Sequence, residues 1–177
     1  MLNQRHFFQG GGAIDYFVKD PGGKLYFGSQ NAHLSYIFKA GQWSTIVKSL
    51  YSAYFRSPES RQLQLGGFQG LTGFPDFYYA GQASTWFKIE ERFFPELELA
   101  TAIPVPAVFF SGGNAWRHID SIDLDDLEYS AGVGVRVGLS KSVLGIVNHV
   151  NLSWPLNGPR SGGLSAFVLT VTTEANF

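Results

Sequence analysis

Between Tyr129 and Ser140 the chain alternates residue by residue. Tyr129, Ala131, Val133, Val135, Val137 and Leu139 share one face, and Ser130, Gly132, Gly134, Arg136, Gly138 and Ser140 share the other. A period of two is that of a strand, whose successive side chains point to opposite sides. Similar alternation recurs almost throughout, and capped helical periodicity is absent. Turn signals cut the chain into about eight such segments. The expected strands are Gln4–Lys19, Lys24–Lys39, Trp43–Phe55, Gln82–Phe93, Leu99–Ser111, Tyr129–Ser140, Val143–Trp154 and Leu164–Phe177. Asp20-Pro21-Gly22-Gly23, Ala40-Gly41-Gln42, Pro95–Glu98 and Ser140-Lys141-Ser142 supply short turns. Longer loops, Arg56–Gly81 among them, alternate with those turns. The chain therefore reads as one all-β, antiparallel domain over residues 1–177.

A soluble sandwich also alternates, so composition has to choose between sandwich and barrel. Charged residues are 15% against the ~25% of ordinary soluble domains, and aromatics reach 16%. No apolar run approaches the ~18–20 residues of a spanning helix. An apolar-out, small-or-polar-in strand repeated about eight times is what a barrel in lipid requires. The expectation is an antiparallel transmembrane outer-membrane β-barrel of eight strands, with no periplasmic repeat domain. The net charge of -1 offers no basic field for nucleic acid. With no Cys, disulfides and thiolate chemistry are excluded together. Met1 to His6 has no signal-peptide h-region, so a chain bound for the bacterial outer membrane is read here as one whose signal has been removed. Phe177, with Thr173, Val171, Leu169 and Phe167 on its face, resembles the terminal aromatic signal through which insertion machinery recognises outer-membrane barrels.

Leu65-Gly66-Gly67-Phe68-Gln69-Gly70-Leu71-Thr72-Gly73-Phe74-Pro75 resembles the long loop of the BamA-type outer-membrane assembly barrel superfamily, the bacterial surface antigens. Phe109-Phe110-Ser111-Gly112-Gly113-Asn114-Ala115-Trp116 is similar to a later strand of that family, and Ile89–Pro95 and Ser130–Arg136 are similar to its neighbours. The resemblance covers about Leu63 to Phe177 and implies the C-terminal half of a larger barrel. Loop positions Gly66, Gly67, Gly70, Thr72, Gly73 and Phe74 and strand positions Phe109, Ser111, Gly113 and Trp116 carry it. In the family a loop Arg meets a strand Asp in the lumen; here those positions are Thr72 and Ser111. Losing one partner alone would leave a buried charge unpaired at about 3–5 kcal/mol, so the double absence reads as compensated. It also weighs against carrying over the family's insertase or secretion activity.

Candidate chemistry is sparse. His149 and Ser153 share a strand face, but four residues span about 13 Å, too far for a Ser–His hydrogen bond. Asp120, Asp123, Asp125, Asp126 and Glu128 offer oxygen ligands without the Gly or spacing of a calcium loop, and read as a solvated loop. Gly10-Gly11-Gly12 lacks the following Lys or helix of a phosphate loop. No catalytic residue, metal or cofactor is expected. The inward charges are more informative: Asp15, Lys48, Lys88, Glu90, Arg92, Arg136 and Glu174 would share an interior just wide enough for side chains, and would have to pair there. They read as a plugging network, with an ion-selective lining as the alternative.

The functional expectation is a non-enzymatic outer-membrane protein with a structural or membrane-assembly role. A pore formed by combined protomers and a lipid-modifying enzyme are the alternatives. Expected partners are outer-membrane lipids, lipopolysaccharide and a second copy of the chain. Glu91 by parity faces lipid, and Pro104 and Pro106 remove amides from one edge of their strand, so an oligomer seam is expected there.

Overall fold

The structure is a computed structural model that describes residues 4–18, 25–55, 62–67, 70–139, 146–158 and 166–175. Phe177 and the turns at residues 20–23 and 140–142 lie outside the described residues. Ten strands follow in order: β1 (Gln4–Val18), β2 (Leu25–Ala40), β3 (Trp43–Phe55), β4 (Leu63–Leu65), β5 (Tyr79–Gly81), β6 (Ala83–Phe93), β7 (Ala102–Trp116), β8 (Glu128–Leu139), β9 (Ile146–Pro155) and β10 (Val168–Ala175). Eight of them form one sheet in the order β1-β2-β3-β6-β7-β8-β9-β10, while β4 and β5 pair separately. Every ladder is antiparallel. The large sheet keeps the strands in chain order, with the β4–β5 excursion set aside between β3 and β6.

Register sorts the two faces. Val108 pairs with Val133, Val133 with Leu152, and Leu152 with Leu169, so one face is apolar across four strands. On the other face Phe109 pairs with Gly132, and Gly132 with Ser153. A slip of one residue would exchange the two sets, which fixes the pairing firmly. Ile89, Val108, Phe110, Val133, Val135, Val150, Leu169 and Val171 are all exposed on the apolar face. In contrast, Ser111, Ser130 and Ser153 are each 0% exposed.

The fully buried apolar cluster is contributed by the excursion between β3 and β6, not by the sheet alone. Leu65, Leu71 and Phe74 pack with Tyr78, Tyr79, Trp86 and Ala115. The segment expected as a long loop is therefore a folded plug carrying the β4–β5 ribbon. Gly66 and Gly67 take φ of 138° and 53°, conformations that a Cβ disfavours, and Gly67 N–H donates to the Phe74 carbonyl at 2.8 Å.

Two boundaries differ from expectation. β7 begins at Ala102 and runs to Trp116, because Gly112 and Gly113 continue the pairing to Tyr129 and Glu128. The closure expected of a barrel is absent among the described residues: β1 has only β2 beside it, and β10 only β9. Residues 4–15 of β1 are exposed on both faces, so the sheet ends there as an open edge.

Candidate functional site

The polar face of the sheet encloses a cavity of about 520 Å³. Its walls come from β2, β3, β6, β9 and β10, with Gly70 and Thr72 of the plug. Strand alternation delivers the wall: Lys88, Glu90 and Arg92 project from the same face of β6 at intervals of two.

Glu90 is the centre of the charge distribution. Its Oε1 accepts from Arg92 Nε at 2.5 Å and Arg136 Nε at 2.9 Å. Its Oε2 accepts from Arg136 Nη2 at 2.6 Å and stands 2.9 Å from Lys88 Nζ. One carboxylate thus holds three cations. Arg136 Nη1 donates to Asn151 Oδ1 at 2.5 Å, and Asn151 Nδ2 reaches Thr170 Oγ1 at 3.4 Å. The Phe109 ring lies under two of the cations, 4.5 Å from Lys88 Nζ and 5.9 Å from Arg136 Cζ. Gly134 makes room, since a Cβ there would sit 2.7 Å from Arg136 Nη1 and 2.6 Å from Asn151 Oδ1.

The expected network is thus brought together in part. Lys88, Glu90, Arg92 and Arg136 form it, and Lys48 lines the same cavity directly opposite Lys88 on the β3–β6 ladder. Asp15 is a correction: it is exposed on β1, where Ser29 Oγ donates to it at 3.4 Å. It keeps the expected face, opposite Ser29, but its strand is the edge of the described sheet and leaves it exposed. The Glu174 side chain lies outside the described residues.

A second constellation joins plug to sheet. Thr72 Oγ1 and Ser111 Oγ are 3.4 Å apart, and Ser111 Oγ is 2.7 Å from Ser130 Oγ. Ser130 Oγ accepts from Gly73 N–H at 3.2 Å, and Ser153 Oγ donates to the Thr72 carbonyl. A Cβ at Gly73 would fall 2.2 Å from Ser130 Cβ, so only glycine allows the plug to approach. Neutral hydroxyls from β7, β8 and β9 thus receive the plug where the resembled family uses an ion pair. Gly113 lies against Trp86, Gly70 against the Trp86 ring, and the Trp116 carbonyl accepts from Gln82 N–H at 2.9 Å. Beside the plug, burial and then the Glu128 charge raise the Tyr79 hydroxyl pKa above its ordinary 10.0. Sequence reasoning missed Ser130 as a partner, although parity had already set it on the inward face beside Ser111.

The remaining candidates resolve within the chain. Ser153 Oγ also lies 3.3 Å from the Val168 carbonyl, so its hydroxyl is committed to backbone acceptors, while His149 sits opposite Arg136. Asp123 caps a 3-10 turn by accepting from Asp125 N–H at 2.9 Å. Among the described residues no group of three or more His, Asp or Glu is placed to hold a metal ion. Glu91 accepts from Thr45 Oγ1 at 2.6 Å, a cross-strand partner for its carboxylate. The β6–β7 ladder stops at Arg92–Ala107, and Pro104 and Pro106 lie just past it, where a missing amide donor breaks no β6 pairing. Glu91 and Pro106 also line one apolar pocket on the exposed face, with Trp43, Phe93 and Val108. No protein-family model matches the chain, and no curated protein matches it.

Proposed function

We infer that the chain is an integral, non-enzymatic protein of the bacterial outer membrane. In this reading its sheet is a transmembrane β-barrel wall and its role is structural or related to membrane assembly. The observation that carries it is the exposed apolar face running from Ile89 on β6 to Val171 on β10. Contiguous apolar surface on that scale is rare on a soluble monomer. Aromatic pairs stand at both ends of that face. Trp43 and Phe93 lie 4.9 Å apart near the β2–β3 turn, and Phe110 stacks on Tyr129 at 5.7 Å near the opposite end. From Phe93 to Phe87, which also faces Phe110, is about 20 Å along β6 at strand rise. Two aromatic belts around an apolar band are the pattern of a barrel in lipid. The resemblance of the plug and β7 to the BamA-type superfamily agrees with that location. The purified chain should require detergent and migrate differently in SDS gels before and after heating. A monomer soluble without detergent would end this reading.

The open edges favour a second, related reading. Unpaired backbone groups are not tolerated in hydrocarbon, so β1 and β10, each with one neighbour among the described residues, call for a further pairing partner. Two copies joined β1 to β10 at both seams would close a wall of twice the eight strands. Such an assembly could also form a pore. Phe8→Cys on β1 with Val171→Cys on β10 should crosslink between chains, and native mass in detergent should be that of a dimer. A single protomer at every concentration would exclude it.

A further inference from the structure

We propose that the cavity on the polar face is a binding site for a multiply charged anion of the phosphate class. The charges on its wall do not balance. Lys48, Lys88 and Arg92 face one described carboxylate, Glu90, whose two oxygens are already engaged by Lys88, Arg92 and the buried Arg136. Lys48 compounds the excess. It stands directly opposite Lys88 in the β3–β6 register, and no carboxylate lies within ion-pair distance of it among the described residues. Like charges directly opposite on one sheet face repel. An anion lodged between them would turn that repulsion into two attractions.

Free donors point to phosphate chemistry rather than to a single negative charge. Arg92 uses only Nε on Glu90, which leaves its terminal fork for a bidentate oxyanion. Thr170 accepts from Asn151 and keeps its own proton to donate, and Thr172 lines the same wall. The cavity volume falls within the ~300–1,000 Å³ of small-ligand sites. This inference does not depend on the membrane reading, because the same side chains meet in either solvent.

Calorimetric titration of the full chain with sodium pyrophosphate, in a chloride-free buffer, tests it. Saturable binding of one pyrophosphate per chain is expected, with inorganic phosphate weaker. Lys48→Met should weaken binding at least tenfold. Lys48 forms no ion pair in the described wall, so this variant should fold, and an unchanged circular dichroism spectrum checks that. A second arm adds micelles carrying a bisphosphorylated glycolipid. Competition with pyrophosphate would identify a lipid headgroup as the source, and absence of competition with pyrophosphate still bound would identify a soluble ligand. No saturable binding of either probe, or binding by Lys48→Met equal to that of the unchanged chain, would overturn the proposal.

Discussion

Replacing Glu90 with Gln removes the one carboxylate that three cations share, while keeping the side-chain shape. The cost follows from how much water each cation can recover. Arg136 is 2% exposed in its side chain and wedged between Phe109 and Asn151, so its charge stays buried, loses its counter-charge and keeps one amide oxygen of Gln where it had two carboxylate oxygens. Breaking a buried pair in this way costs about 3–5 kcal/mol. Lys88 and Arg92 are 16% exposed and border the cavity, so each can turn toward water and loses roughly 0–1 kcal/mol. The expected destabilisation of Glu90→Gln is therefore about 3–7 kcal/mol, a large part of the ~5–15 kcal/mol that holds a domain folded. Urea unfolding of the chain in detergent, followed by tryptophan fluorescence, would measure it. Adding Arg136→Met to Glu90→Gln should recover much of the loss, because the stranded charge is then gone. A Glu90→Gln loss below about 1 kcal/mol would mean that water or ions already screen the cluster, and the argument from buried charge would fail.

Other substitutions address the plug and its seat. Thr72→Arg alone should destabilise, since Thr72 is buried and Ser111 offers no charge; with Ser111→Asp the loss should shrink through coupling of about 0.5–3 kcal/mol, read by a double-mutant cycle. Phe74→Ala, at the centre of the plug cluster, should cost about 3–5 kcal/mol in the same unfolding assay. Gly134→Ala places a Cβ 2.7 Å from the Val150 carbonyl as well as against Arg136 and Asn151, so a loss of about 1–3 kcal/mol is expected.

Much of the sheet was legible because alternation is a direct readout of strand geometry. The run from Tyr129 to Ser140 put Ser130, Gly134 and Arg136 on one face, and β8 holds them there. The same parity gathered Lys88, Glu90 and Arg92, although it could not say that Arg136 would meet Glu90 across two ladders. It set Asp15 on the face where Ser29 meets it, but the burial expected there assumed that the sheet closes. Closure depends on how far the strands coil around one another, which a period of two does not encode. The plug was invisible as structure for a related reason. Its fold rests on Leu65, Leu71 and Phe74 meeting Trp86, contacts far apart in the chain with no period between them. The proximity of Thr72 and Ser111 came instead from resemblance, and the hydroxyl chain through Ser130 and Ser153 from neither source.

The central claim is that the face bearing Ile89, Val108, Val133, Val135 and Val150 contacts lipid. The chain has no cysteine, so single cysteines can be placed without altering a background. A fluorophore attached at Val108, Val133 or Val150 in reconstituted bilayers should be quenched strongly by a quencher carried on the lipid chains. The same probe at Thr170 or Lys48, on the cavity face, should be quenched weakly. That alternation of strong and weak quenching is what a membrane wall predicts. Equal quenching on both faces, or none at Val108, Val133 and Val150, would contradict it.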